Sequence, residues 1–207
     1  MKHEIQETNL GFESGFISRR QKEKLNKQKA FVIWLTGLSG AGKSTIARNL
    51  EASLFENGIR TLILDGDNTR MTINHDLDFS AEGRHENIRR VAEIAKLLND
   101  AGVVVITAFI SPFREDRIMA REMIGEDCFI EVFVDTPLEL CIQRDTKGLY
   151  KKALKGGLKD FTGISSPYDL PEKPDIHVET KGCAPEETVQ QIVDWLSKEK
   201  LIGQVKL

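Results

Sequence analysis

The run Gly37-Leu38-Ser39-Gly40-Ala41-Gly42-Lys43-Ser44-Thr45 sets a lysine and two hydroxyls at the end of a glycine-rich stretch. A glycine, four residues, Gly-Lys and Ser/Thr is the spacing of a loop that wraps phosphate. The glycines let backbone N–H groups turn inward around an anion, and the helix start behind them adds unpaired donors and a positive dipole end. In such a loop Lys43 reaches the β- and γ-phosphates of a nucleotide and the Ser44 hydroxyl ligates a magnesium ion. A second group with chemical capacity is Asp65-Gly66-Asp67-Asn68-Thr69-Arg70, which gathers two carboxylates, an amide and a guanidinium. Two more are Thr107-Ala108-Phe109-Ile110-Ser111-Pro112-Phe113-Arg114 and the basic stretch from Arg144 to Lys152.

Each group stands at the end of an element able to hold it. Phe31-Val32-Ile33-Trp34-Leu35 reads as a buried strand ahead of the loop, and Ile46, Leu50 and Leu54 recur at helical spacing behind it, with a stop at Asn57-Gly58. Thr61-Leu62-Ile63-Leu64 reads as a second buried strand leading into the acidic group. The C-terminal ends of parallel strands open onto a ligand crevice, which places Asp65 to Arg70 to do chemistry. The alternative is a solvated acidic turn with Asp65 capping a helix. Ile88, Val91, Ala95 and Leu98 mark the buried face of a helix beginning near Arg84. Val103–Ile106 is a third strand, Phe129–Asp135 a fourth and Asp175–Glu179 a short fifth. Pro112 suits the first turn of a following helix, Pro137 opens a short helix through Cys141, and Val189, Ile192, Val193 and Leu196 line a C-terminal helix. Strands alternating with helices predict a parallel α/β sheet with helices on both faces.

Residues 1–29 are polar and read as an N-terminal arm before a kinase-sized domain at 30–207. Its segment Ser18–Lys29 reads as a solvated arm that orders only on the body or on a second subunit, the alternative being a short basic helix capped by Ser18. From Arg144 to Pro174 the chain is basic and broken by Gly156-Gly157, Gly163, Pro167 and Pro171, the composition of a functional lid. At 207 residues with a net charge of −3, the chain is not composed like a general nucleic-acid or membrane-surface binder. No apolar run approaches the ~20 residues that cross a bilayer. The first residues lack the apolar core of a secretion signal. Three widely spaced cysteines suggest neither a disulfide framework nor a zinc site, so cytoplasm is the expected setting.

A phosphate loop alone leaves the reaction open. An Asn-Lys-x-Asp guanine reader is missing, and the third strand ends at Thr107-Ala108 rather than at a metal-binding aspartate. The acidic cluster, basic-aromatic rim and basic lid suit transfer of a γ-phosphoryl group to a bound hydroxyl with water shut out. Trp34–Thr45, Asp65–Arg70, Arg84–Arg90, Phe109–Arg114 and Lys147–Tyr168 together resemble the adenylylsulfate kinase family. That family phosphorylates the 3′-hydroxyl of adenosine 5′-phosphosulfate with ATP, giving 3′-phosphoadenylyl sulfate. The alternatives are another small-molecule or nucleotide kinase with a phosphate loop, or a non-catalytic nucleotide-binding subunit of a sulfate-activating complex.

The resemblance implies roles. Asp67 stands beside the acceptor hydroxyl, with Asp65 nearer the metal. Asn68, Arg70, Arg84 and Asn87 hold the acceptor's phosphosulfate and ribose, a task that suits the planar arginine fork. Phe79 and Phe161 sandwich the acceptor adenine, with Ile110 and Ser111 in the same pocket. Lys147 meets phosphate charge when the lid closes, and Arg144 flanks the ATP base. Lys151 and Lys152 stay solvated. Ser111 matches a residue described in the family as a phosphoserine intermediate; with no histidine base beside it in the sequence, it reads here as a binding residue. A homodimer and functional coupling to ATP sulfurylase also follow from the resemblance. Departures from the family pattern are Asp78 for Gly, Gly83 for Asp, His85, Phe113 for Tyr, Leu154 and Gly157.

Overall fold

The run ahead of the glycine-rich loop is the centre of the sheet. In the computed structural model, which describes residues 15–203, five strands follow one another along the chain. They are β1 (Val32–Thr36), β2 (Thr61–Asp65), β3 (Val104–Ala108), β4 (Phe129–Asp135) and β5 (Ile176–Glu179). Their order across the sheet is β2-β3-β1-β4-β5, and every pairing is parallel. β1 therefore lies between the strands that follow it on either side. A reversal of strand order of this kind leaves a crevice beyond the carboxyl ends of the strands.

Alternation along β1 feeds two cores, one on each face, as the period of a strand requires. Phe31, Ile33 and Leu35 face α2 (Lys43–Glu56) and α8 (Pro185–Lys198), packing with Ile46, Leu50, Leu54, Val189, Ile192, Val193 and Leu196. Val32 and Trp34 face the other way, with Ile88, Val91 and Ala95 of α4 (Ala81–Asp100) and Ala120 and Ile124 of α5 (Arg114–Ile124). Trp34 is fully buried between the rings of Phe109 and Phe129, at 6.2 and 5.4 Å. The expected sheet with helices on both faces is the one observed.

Several local expectations change. β2 lies at the sheet edge rather than buried, with Leu62 41% exposed, because only β3 pairs with it. Asp65 does cap a short helix, α3 (Gly66–Met71), by accepting the Asp67 N–H at 3.0 Å, yet stays on the crevice rim. Pro112 precedes α5, which starts at Arg114, and Pro137 caps α6 (Leu138–Arg144).

Ser18 caps α1 (Arg19–Asn26) through a capping box, so the segment is the short helix of the second reading, ordered against the body as the first one allowed. Polar side chains of α1, and Gln28 just after it, reach carbonyls at the end of α4 and in the turns that lead into β2 and β3. Lys22 donates to Asp100 O (2.9 Å), Asn26 to Gly102 O (3.2 Å) and Gln28 to Arg60 O (3.1 Å). Residues 1–14 of the expected arm lie outside the described residues.

The Gly- and Pro-broken segment from Arg144 to Pro174 is not structureless. It contains α7 (Leu149–Leu154), whose first turn is held by Asp145 accepting the Tyr150 and Lys151 N–H groups at 3.0 Å each. Tyr150 and Phe161 are buried and meet edge to face at 5.0 Å.

Candidate active site

The loop between β1 and α2 takes its shape from backbone that other residues resist. A side chain at Gly37 would put its Cβ 2.5 Å from Val134 O, and Gly42 caps α2 at φ +106°. Thr45 and Ile46 N–H groups close on Gly42 O at 3.0 and 2.9 Å, so the Lys43 and Ser44 N–H groups precede the first helical bond, the place where a helix start can offer donors to an anion. Lys43 is buried and its ammonium donates to Gly37 O (2.9 Å) and Leu38 O (2.8 Å). Burial pushes its pKa down to about 8, against a smaller pull upward from Asp65.

β2 delivers Asp65 to the same place. Its Oδ2 accepts the Ser44 hydroxyl at 2.6 Å while Oδ1 holds the Asp67 N–H, so one carboxylate ties the phosphate loop to the start of α3. The Asp67 side chain is exposed and ion-paired with Lys147 from the far wall. Arg70 donates to Leu77 O and Asp78 O (3.0 and 2.9 Å) and lies 4.3 Å over the Phe79 ring. Arg84 is buried and donates to Phe79 O (3.0 Å) and Asp160 O (2.8 Å), joining the two segments that carry Phe79 and Phe161.

On the third rim, Ser111 sits at φ +39° and is 2% exposed. Its Oγ accepts the Trp34 indole N–H at 3.2 Å, and its carbonyl accepts Arg117 at 2.8 Å. Arg117 is itself buried, paired with Glu131 at 2.7 Å and donating to Asp169 O at 2.7 Å.

These residues surround a single cavity of about 1010 Å³. That is the upper end of the ~300–1,000 Å³ typical of sites for one ligand, consistent with a two-part cleft. Ser39 to Thr45, Asp65, Asp67, Asn68, Arg70, Phe79, Arg84, Asn87, Ile110, Ser111, Arg144, Lys147 and Phe161 all line it. Of the candidates, only Gly37 and Leu38 stand behind the wall, where their carbonyls hold Lys43. Phe79 is 58% exposed and Phe161 9%, so the two aromatics differ: one lies open on the rim, the other is packed against Tyr150.

Comparison with known proteins agrees with this geometry. The adenylylsulphate kinase family profile matches residues 29–179. The chain belongs to the adenylylsulphate kinase family. An adenylyl-sulfate kinase of Clostridium acetobutylicum is 53% identical over 195 residues, covering 94% of this chain and 97% of its own. The bifunctional enzyme NodQ of Rhizobium tropici is 54% identical over 91% of this chain, which spans 30% of that longer protein. Among solved structures, the APS kinase CysC of Mycobacterium tuberculosis in complex with AMPPNP and APS superposes with a TM-score of 0.79 at 44% identity. It covers 82% of this chain and 99% of its own.

Within this adenylylsulphate kinase, two departures from the family pattern explain each other. A Cβ at position 83 would lie 2.2 Å from Asp78 Oδ1 and 2.7 Å from Asp78 O. Gly83 leaves the room in which the Asp78 carboxylate accepts Ser80 N–H (3.1 Å) and Oγ–H (2.6 Å). Those two bonds hold that carboxyl below the ordinary range.

Sequence reasoning missed the wall formed by Thr180, Cys183, Pro185 and Thr188. Arg144 reaches into it, donating to Thr180 O (3.3 Å) and Ala41 O (3.3 Å). The available signal was β5 itself: a fifth parallel strand must end on the same rim as the other four. Arg117 and Trp34 carried no such signal, because their role is to hold the Ser111 turn.

Proposed function

We propose that this chain transfers the γ-phosphoryl group of ATP to the 3′-hydroxyl of adenylyl sulfate, giving 3′-phosphoadenylyl sulfate. The observation that carries this reading is Asp65. It binds Ser44 of the phosphate loop through one oxygen and the backbone of Asp67 through the other, which supports reading the two adjoining parts of the cavity as its donor and acceptor halves.

Asp67 orients the acceptor hydroxyl and takes its proton as the new O–P bond forms. The bond from the γ-phosphorus to the β,γ-bridging oxygen breaks, and its electron pair leaves with ADP. Lys43, held beside the loop, meets the charge gathering on the β- and γ-oxygens together with the loop N–H groups. Lys147 trades its ion pair with Asp67 for substrate phosphate charge, which frees the carboxylate when the site fills and the segment Arg144–Pro174 closes as a lid. Arg70 and Asn68 hold the anionic part of the acceptor, and Phe79 and Phe161 hold its adenine. Arg84 joins the two aromatic segments; Arg144, with Thr180, borders the ATP base. Ser111 serves as a binding and shaping residue, since its hydroxyl is already engaged by Trp34 and transfer runs directly between substrates.

The Ser44 hydroxyl and Asp65 carboxylate are two hard oxygen donors within 2.6 Å of each other. That donor set fits magnesium, which keeps several waters and takes its remaining ligands from phosphates. When bound, the ion offsets charge on the transferring group. A cytoplasmic homodimer is also proposed. So is coupling to ATP sulfurylase, in line with the match to 30% of a longer, bifunctional relative. Among the described residues no helix is long and apolar enough to cross a membrane.

The test is transfer of label from γ-labelled ATP by the purified chain to a panel of acceptors: adenylyl sulfate, nucleoside monophosphates and sugar acids. Label on adenylyl sulfate alone is expected. Preferred transfer to any other acceptor, or no transfer, refutes the reading.

A further inference from the structure

Asn74 is 0% exposed in the turn between α3 and α4. Its backbone is fully used: N–H donates to Thr69 O at 2.8 Å, and the carbonyl accepts Leu77 N–H at 3.2 Å. Arg90 pins both flanks, reaching Ile73 O at 3.4 Å and the two Asp76 carboxylate oxygens at 2.7 and 2.8 Å. The side chain makes one hydrogen bond, from Nδ2 to Asn87 Oδ1 at 3.0 Å, and its Oδ1 is buried without a partner. A buried acceptor left unpaired costs ~1–3 kcal/mol, which an apolar side chain of the same shape would avoid. An amide held at that cost is there for its bond to Asn87, and Asn87 is a cavity residue, 5% exposed.

The direction of that bond follows from the orphan. An amide pair can be turned both ways, and the network decides between them. In the observed direction the unpaired group is one carbonyl oxygen. With both amides reversed it would be an NH2 carrying two donors, and buried N–H groups are left unpaired more rarely than carbonyls. Asn87 Oδ1 therefore stays turned to Asn74, and among the described residues nothing accepts from Asn87 Nδ2.

We propose that Asn74 is a positioning residue that locks the Asn87 amide so that Asn87 offers the acceptor substrate a donor and not an acceptor. The inference rests on the assignment of Asn87 to the acceptor half of the cavity. A donor there suits phosphate, sulfate and ring-nitrogen acceptors; a rotated amide would set its oxygen against them.

Three variants test this by steady-state kinetics with ATP and adenylyl sulfate, each checked for folding by thermal unfolding. Asn74→Asp, assayed at the alkaline end of the activity range so that the buried carboxyl is ionised, puts an acceptor-only group at the position, turns Asn87 Nδ2 inward and presents its oxygen to the cavity. KM for adenylyl sulfate should rise roughly 10- to 100-fold, the worth of a hydrogen bond to a charged group, while KM for ATP stays within about twofold. Asn74→Leu removes the lock without adding charge and should give a smaller rise in the same constant alone. Asn87→Ala separates the two claims. If it leaves the adenylyl sulfate KM unchanged, the site assignment fails. If it raises that KM while both Asn74 variants leave it unchanged, the lock fails and the site assignment stands. Should the Asn74 variants not fold, side-chain amide NMR of the 15N-labelled wild type decides. Adenylyl sulfate should shift the Asn87 NH2 signals and leave the Asn74 NH2 protected; an exchanging Asn74 amide, or no shift at Asn87, overturns the proposal.

Discussion

With Lys43 on the ATP phosphates, as proposed, its buried ammonium should give ATP binding and protein stability opposite pH dependences. Burial holds its pKa at about 8 against an ordinary 10.5. At about 1.4 kcal/mol per unit, keeping the charge there costs the folded chain on the order of 3 kcal/mol at neutral pH. Between pH 8 and 10.5 the unfolded chain binds more protons at this position than the folded one. The contribution of Lys43 to stability therefore rises with pH across that window, and the cost is absent above it. Bound polyphosphate favours the charged form, so the affinity for ATP must change in the other direction. As pH climbs past 8, the fraction of free protein with a charged Lys43 falls about tenfold per unit, and ATP binding weakens with it. The terminal phosphate of ATP is already fully ionised in this range and adds no slope of its own. Titration calorimetry with magnesium-ATP itself, the acceptor left out, from pH 7 to 9.5 in buffers of matched ionic strength reads the effect. A dissociation constant that is level below about pH 8 and rises towards a unit slope above it is expected. Lys43→Met should bind weakly and remove the slope. A level affinity to pH 9.5 in the wild type would refute the reasoning, since a lysine with its ordinary pKa stays charged throughout.

Other perturbations reach the remaining parts of the site. Asp67→Asn should lower kcat by roughly 10²–10⁴ while leaving the KM for ATP nearly unchanged; full activity would remove Asp67 from the chemistry. Arg117→Met strands Glu131 beside the Ser111 turn and should destabilise the fold by about 3–5 kcal/mol, seen as a lower urea midpoint. Adding Glu131→Met should recover most of that loss, and failure to recover would mean the arginine acts through its carbonyl bonds instead. Gly83→Ala forces a Cβ into Asp78 and should cost about 1–3 kcal/mol, with a raised KM for adenylyl sulfate; Asp78→Gly in the same chain should relieve part of it.

Much of this site was legible because its signals are local. The glycine spacing before Lys43, the apolar run before that and the helical period after it are contiguous, and each constrains the same few turns of chain. The ends of β2 and β3 were readable too, since an apolar run ending in polar residues marks a strand terminus wherever the strand lies. Edge position was not readable. Leu62 is exposed because β2 has one neighbour rather than two, and nothing within Thr61–Asp65 says how many neighbours it has. Where α1 docks was unreadable for a related reason. Its face carries no buried apolar residue, and its partners Asp100, Gly102 and Arg60 are distant in sequence.

By itself the sequence determined the reaction class, the family and most of the side chains that surround the cavity, because phosphate binding is done by short contiguous segments at strand ends. Tertiary structure decided how those segments meet. Placing β1 between β3 and β4 sets the loop, Asp65, the Ser111 turn and Arg144 around one opening. Only then does Asp65 bridge Ser44 to Asp67, Lys147 face Asp67 across the cleft, and β5 bring Thr180 and Cys183 to the wall that Arg144 reaches. The Ser44–Asp65 and Asp67–Lys147 contacts join residues 21 and 80 positions apart, through pairings between strands that no local pattern encodes.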